Sequence, residues 1–129
     1  MTGSTFRLAD PPTDPRRREL WLQHVAGRLI FDSVRDYALG QLPSTISEHE
    51  RAIASDAIDH AVYGLMMLID GVTGGAENET YDVGIDVSVS LREGGRTSQQ
   101  LDLRDGDGMC MGYHGWVNGN FGDDPIVAD

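Results

Sequence analysis

The chain has 129 residues, with 10 basic against 21 acidic side chains and a formal net charge of −11. That excess of carboxylates argues against non-specific binding to nucleic acid or to an anionic membrane, both of which need a basic surface. The single cysteine excludes an internal disulfide, and 40% hydrophobic residues is the composition of a globular domain with a core of its own.

All ten basic residues are arginines, and Asp outnumbers Glu. A GC-rich genome or a salt-adapted host produces that bias without bearing on function. No charged, apolar, small-residue signal pattern opens the chain, which with the lone cysteine leads to the expectation of a cytoplasmic protein. The expected layout is one domain over 1–129, with a flexible N-terminal arm at 1–13, a helical hairpin at 14–71, and a β-sheet with a Gly-rich segment at 81–122.

Asp14-Pro15 reads as N-cap and first residue of a helix. Leu22, Ala26, Leu29, Ile30, Val34 and Tyr37 give it an apolar stripe, widened by Leu20, Phe31 and Ala38, and Gly40 is its stop. Arg16, Arg17 and Arg18 oppose the dipole of its first turn. Pairing with nearby carboxylates is the simpler explanation of these three cations, and an anion-binding patch is the sharper one.

The central element is a helix over Thr45–Asp70, with Thr45 and Glu48 as a capping box and Gly71 just past its end. Ile53, Ala57, Ala61, Leu65 and Leu68 form one apolar row, and Ala54, Ile58, Val62, Met66 and Ile69 a second. The run Leu65–Ile69 is too short to cross a bilayer, which takes ~20 apolar residues. On the other side lie His49, Asp56 and His60, with Asp59, Tyr63 and Met67 close by.

From Tyr81 to Leu91 apolar residues alternate with Asp82, Gly84, Asp86, Ser88 and Ser90, the period of a half-buried strand. Arg92–Arg96 supplies a hairpin turn, and Thr97–Leu103 returns. Beyond it, Met109, Met111, Tyr113 and Val117 could line one side of a third strand, with Cys110, His114 and Trp116 on the other. The expected fold class is therefore α+β, an antiparallel pair of long helices packed on an antiparallel sheet of about three strands.

Several constellations invite chemistry. Asp102, Asp105 and Asp107 have the wrong spacing for a calcium loop and fit a turn closed by Asp side chains. Cys110 and His114, as a nucleophile and base, would be well separated along a strand. His60 and His114 with Asp59 or Asp107 have the ligand types of a divalent-metal site. Tyr113, His114 and Trp116, interleaved with glycine, fit either a recognition surface or the completion of a core.

No phosphate loop, dinucleotide fingerprint, serine elbow or paired-cysteine motif is present. In general character the chain resembles the bacterial immunity and inhibitor proteins that neutralise basic toxins. That resemblance implies a non-catalytic binding protein without a cofactor, and a basic protein as partner. The contact surface would be Asp105, Asp107, Tyr113, His114 and Trp116, with Asp123 and Asp124 around it. The alternative is a small metal-binding protein or enzyme using His60, His114 and nearby carboxylates. A homodimer is a further expectation, through an edge strand or through the apolar surplus at Trp21 and Phe31.

Overall fold

The structure, a computed structural model, describes residues 6–122 and 124–127. Strand β1 (Arg7–Leu8) pairs antiparallel with β6 (Ile126–Val127), and Ala9 N–H donates to Pro125 O at 2.7 Å. The described part of the expected arm is thus tied to the C-terminal segment, and residues 1–5 lie outside the description.

Helix α1 (Pro15–Ile30) starts as the sequence indicates: Asp14 caps it by accepting from Arg17 N–H, with Pro15 at its first position. It runs on through a π-helical turn (Phe31–Arg35) into α2 (Asp36–Gly40). The π turn adds a residue to the helical period. The buried set is Trp21, Leu22, Val25, Ala26 and Phe31, while Leu29, Val34 and Tyr37 of the expected stripe are exposed. Trp21 and Phe31, the apolar pair named as one of two routes to a dimer, are buried within the chain.

Helix α3 (Glu48–Ile69) is capped by Ser47, two residues beyond the expected cap Thr45. Ser47 and Glu50 form the reciprocal capping box, with bonds of 2.9 and 3.1 Å. The Thr45–Glu48 pair has the same spacing, but Thr45 lies in the turn that closes the connector. Only Val62, Met66 and Ile69 are buried, so the second of the two apolar rows faces the core.

The β-structure is broken up. Among the described residues there are three two-stranded antiparallel sheets, not one sheet of three strands. Strand β4 (Ser88–Glu93) and β5 (Arg96–Asp102) form the expected hairpin, turning on Gly94 and Gly95 at φ 57° and 84°. That geometry requires positive φ at both turn positions, which glycine adopts without a Cβ penalty. The expected strand over 81–91 is interrupted between 84 and 87. Its first part, β3 (Asp82–Val83), pairs instead with β2 (Ala76–Glu77), away from the hairpin.

The expected third strand is a helix, α4 (Met109–Trp116), which packs against both α1 and α3. The architecture is α+β. One hydrophobic cluster gathers Trp21, Leu22 and Phe31, Val62 and Met66, Leu101 and Leu103, and Met109, Tyr113 and Trp116.

Candidate functional site

Helix α4 carries most of the residues singled out from the sequence. Its spacing Met109, Tyr113, Trp116 is i, i+4, i+7, and these three are its buried side. The residue before it, Gly108, has φ 95° and no side chain to cap the helix. Asp70, at the C-terminus of α3, supplies the cap from 39 residues away: its carboxylate accepts from Met109 N–H at 2.7 Å and Cys110 N–H at 2.9 Å. A carboxylate there also complements the positive end of the helix dipole.

Trp116 is 2% exposed. A Cβ built at Gly27 of α1 or at Gly112 of α4 would fall within contact distance of its indole, so the two glycines make the slot it occupies. Its Nε1–H donates to His24 Nδ1 at 3.0 Å. Tyr113 donates its hydroxyl to Asp59 O at 3.1 Å and packs against Phe31 and Tyr63. Burial pushes the Tyr113 phenol above the ordinary range, with the Asp59 carboxylate adding to it. Both aromatics complete the core, which corrects their assignment to a contact surface.

The other candidates are dispersed. His114 is exposed, with its ring near those of Tyr63 and Tyr113. Four apart on a helix rather than a strand, Cys110 and His114 are neighbours on one face. Cys110 nevertheless faces the wrong groups for a nucleophile. Burial pushes its thiol up, and the bond to the Asp70 carboxylate pushes it further. Tyr63 sits on the same sulfur, its phenol raised by that hydrogen bond.

His60 lies 3.8 Å from Asp56, and both side chains are exposed, His60 at 79%. Among the described residues no group of three or more His, Cys, Asp or Glu side chains is placed to hold a metal ion. Asp102 accepts from Arg104 N–H, closing the turn, and Asp105 N–H donates to Asp102 O. Asp107 N–H donates to the buried Gln23, and its carboxylate accepts from Arg16. Arg16 also bonds Glu19, and Arg18 bonds Pro12 O. Asp124 accepts from Arg28 at 2.7 Å, and Asp123 lies outside the described residues.

The surface that sequence reasoning missed is the excursion over 71–86. Every residue in it is exposed. It folds back through β2 and β3, and its turn is closed by the Asn78 side chain, which accepts from Thr80 and Tyr81 N–H. Tyr81 is 73% exposed, Val72 and Val83 are each 67% exposed, and Glu77, Glu79, Asp82 and Asp86 stand among them. A shallow cavity of about 440 Å³ lies at its base, lined by Gly71–Glu77, Asp82–Ile85 and Arg104. Arg104 closes that base, donating to Ile85 O at 3.1 Å and pairing with Asp86 at 3.3 Å. The signal in the sequence was the apolar alternation itself, which says that one side is sheltered without saying by what.

No family model, curated protein or solved structure matches the chain.

Proposed function

We propose that the chain is a small acidic binding protein that engages a basic protein partner, as an immunity or inhibitor protein does, and that the arm over 71–86 is its contact surface. One observation carries the reading: large apolar side chains stand mostly in water on an exposed hairpin that also carries four exposed carboxylates. An exposed aromatic with β-branched neighbours is the material of an interface anchor. The surrounding charge would speed encounter with a basic surface and make binding fall with salt. Asp105 and His114, also exposed, belong to the acidic surface of the same molecule but not to the anchor.

The test is capture from a lysate of the source cell at low and high salt, with the parent and with Tyr81→Ala. Recovery of a basic protein by the parent, reduced at least tenfold by the substitution and by salt, is the expected result. Equal recovery by Tyr81→Ala would remove the arm from the interface. The rival reading, a metal protein using His60 and His114, is tested by metal analysis of the untagged protein. Stoichiometric metal lost in His114→Ala would establish it.

A further inference from the structure

The bond between Trp116 and His24 depends on a proton. An indole N–H can only donate, so the imidazole nitrogen that faces it, Nδ1 at 3.0 Å, carries a lone pair. The neutral ring keeps its own proton on Nε2. A second proton goes to Nδ1 and sets N–H against N–H. Neither nitrogen of an imidazolium accepts, so no rotation of the ring restores the bond. Trp116 is buried, so water does not replace the lost acceptor. The rim of an indole is its positive part, which repels a cation placed against it.

The chain beyond α4 is laid over this pair. Phe121 stacks on Trp116 with the ring planes 9° apart, and the Arg28 guanidinium lies 4.8 Å from the centre of the Phe121 ring. Gly122 takes φ 64° beside the imidazole, where an added Cβ would stand 2.9 Å from Nε2. Farther on, Asp124 pairs with Arg28 at 2.7 Å and Ile126–Val127 pairs with Arg7–Leu8, which tethers the segment at its far end.

Charged groups reach His24 from three directions. On α1, Arg17 lines the same depression as the ring, and Arg28, one turn on, is held by Asp32 and Asp124. From the loop before α4, Asp107 lines the depression on the other side, with its carboxylate 3.4 Å from Arg16. The titratable residues of α4 turn elsewhere: Tyr113 to Asp59, Cys110 to Asp70 and Tyr63, and His114 to Tyr63. On the C-terminal side Asp124 is taken by Arg28, and Asp123 lies outside the described residues. A carboxylate beside the ring moves the pH at which the imidazolium forms. It does not give the indole another acceptor.

We propose that His24 is an acid-operated latch, whose protonation breaks the bond to Trp116 and frees the end of α4 and the segment over it as far as Gly122. The β4–β5 hairpin stays closed, and the latch is independent of what the arm binds.

Amide hydrogen exchange of the full chain tests it, expressed as protection factors from about pH 8 to about pH 5, a range that spans the ordinary histidine titration. The reporting amides are Val117, Gly119 and Asn120, which donate to Tyr113 O, Trp116 O and Gly115 O. A ring that takes its second proton near pH ~6.5, and only when the latch is open, makes opening about 30-fold more frequent at the acid end. Protection at the three amides should fall by that factor, while Leu103, which donates to Val87 O, keeps its own. Gln at position 24 offers the indole an acceptor that does not titrate, so His24→Gln should abolish the fall. His114→Gln, at an exposed ring, should leave it in place. Constant protection in the parent overturns the proposal. So does a fall that persists in His24→Gln, or one that takes Leu103 with it. Nitrogen NMR of the parent decides the matter if His24→Gln does not fold. Nδ1 of His24 should be the bare nitrogen in the neutral ring, and the Trp116 indole N–H signal should move with the same midpoint as the His24 ring. A His24 titration that leaves that signal in place overturns the latch.

Discussion

Replacing Asp70 by Ala removes the one carboxylate that joins the end of α3 to the start of α4. Two amides lose their acceptor, Met109 N–H at 2.7 Å and Cys110 N–H at 2.9 Å. Hydrogen bonds to a charged group contribute ~1.5–3 kcal/mol each, and an N-cap about 1 kcal/mol. The two bonds share one half-buried carboxylate, so they do not add in full, and the expected loss is about 2–4 kcal/mol. Met109 is fully buried, so water cannot easily take the place of the carboxylate at its amide. At this chain length 1 kcal/mol corresponds to roughly 3–4 °C, so Tm should fall by about 6–15 °C. Urea unfolding should show a lower midpoint at an unchanged slope. Asp70→Asn retains one uncharged acceptor and should lose about half as much. Hydrogen exchange at Met109 and Cys110 should accelerate in the Ala variant before the rest of the chain changes. A melt of Asp70→Ala within ~2 °C of the parent would refute the reasoning, because α4 would then stand without its cap.

Gly27→Ala and Gly112→Ala should each destabilise, although Ala in a helix normally gains ~1 kcal/mol over Gly. The added methyl meets the Trp116 indole, and overpacking of this kind costs ~1–3 kcal/mol beyond that gain. Thermal melts, with tryptophan fluorescence reporting the displaced ring, check both. The Cys110 thiol, raised by burial and by Asp70, should react more slowly with iodoacetamide at neutral pH than the same thiol in urea. A thiol raised in the folded state adds stability below its unfolded pKa. That stability is lost as pH rises through the folded value, so Cys110→Ser should flatten the alkaline limb of the pH–stability curve. Glu50 is lowered by its bond to Ser47 N–H and then by the Ser47 hydroxyl. Its contribution is present above the unfolded glutamate pKa and is lost as pH falls through the lower folded value. Glu50→Gln should therefore narrow its gap from the parent in acid, read from helical circular dichroism across that range.

Some of this was local enough to read from the chain alone. Asp14-Pro15 starts a helix wherever it stands, because a short side chain caps the amides and proline presets φ. Gly94-Gly95 between two alternating runs makes a hairpin for an equally local reason. The long apolar period of 48–69 fixes a helix, though the Thr45–Glu48 spacing placed its cap two residues before Ser47, which caps it. The tertiary structure decided what local rules leave degenerate. Alternation over Tyr81–Leu91 is a strand in either half, yet only Val87, Val89 and Leu91 pack against the core, while Tyr81 and Val83 turn out into water. Met109–Trp116 fits a weak strand or a short helix equally well, with glycines in both and no capping side chain before it. It is a helix because Asp70 caps it from 39 residues away and because a slot between Gly27 and Gly112 admits Trp116. Both of those partners exist only once the chain has folded, so no window of sequence around α4 contains the information that makes it helical.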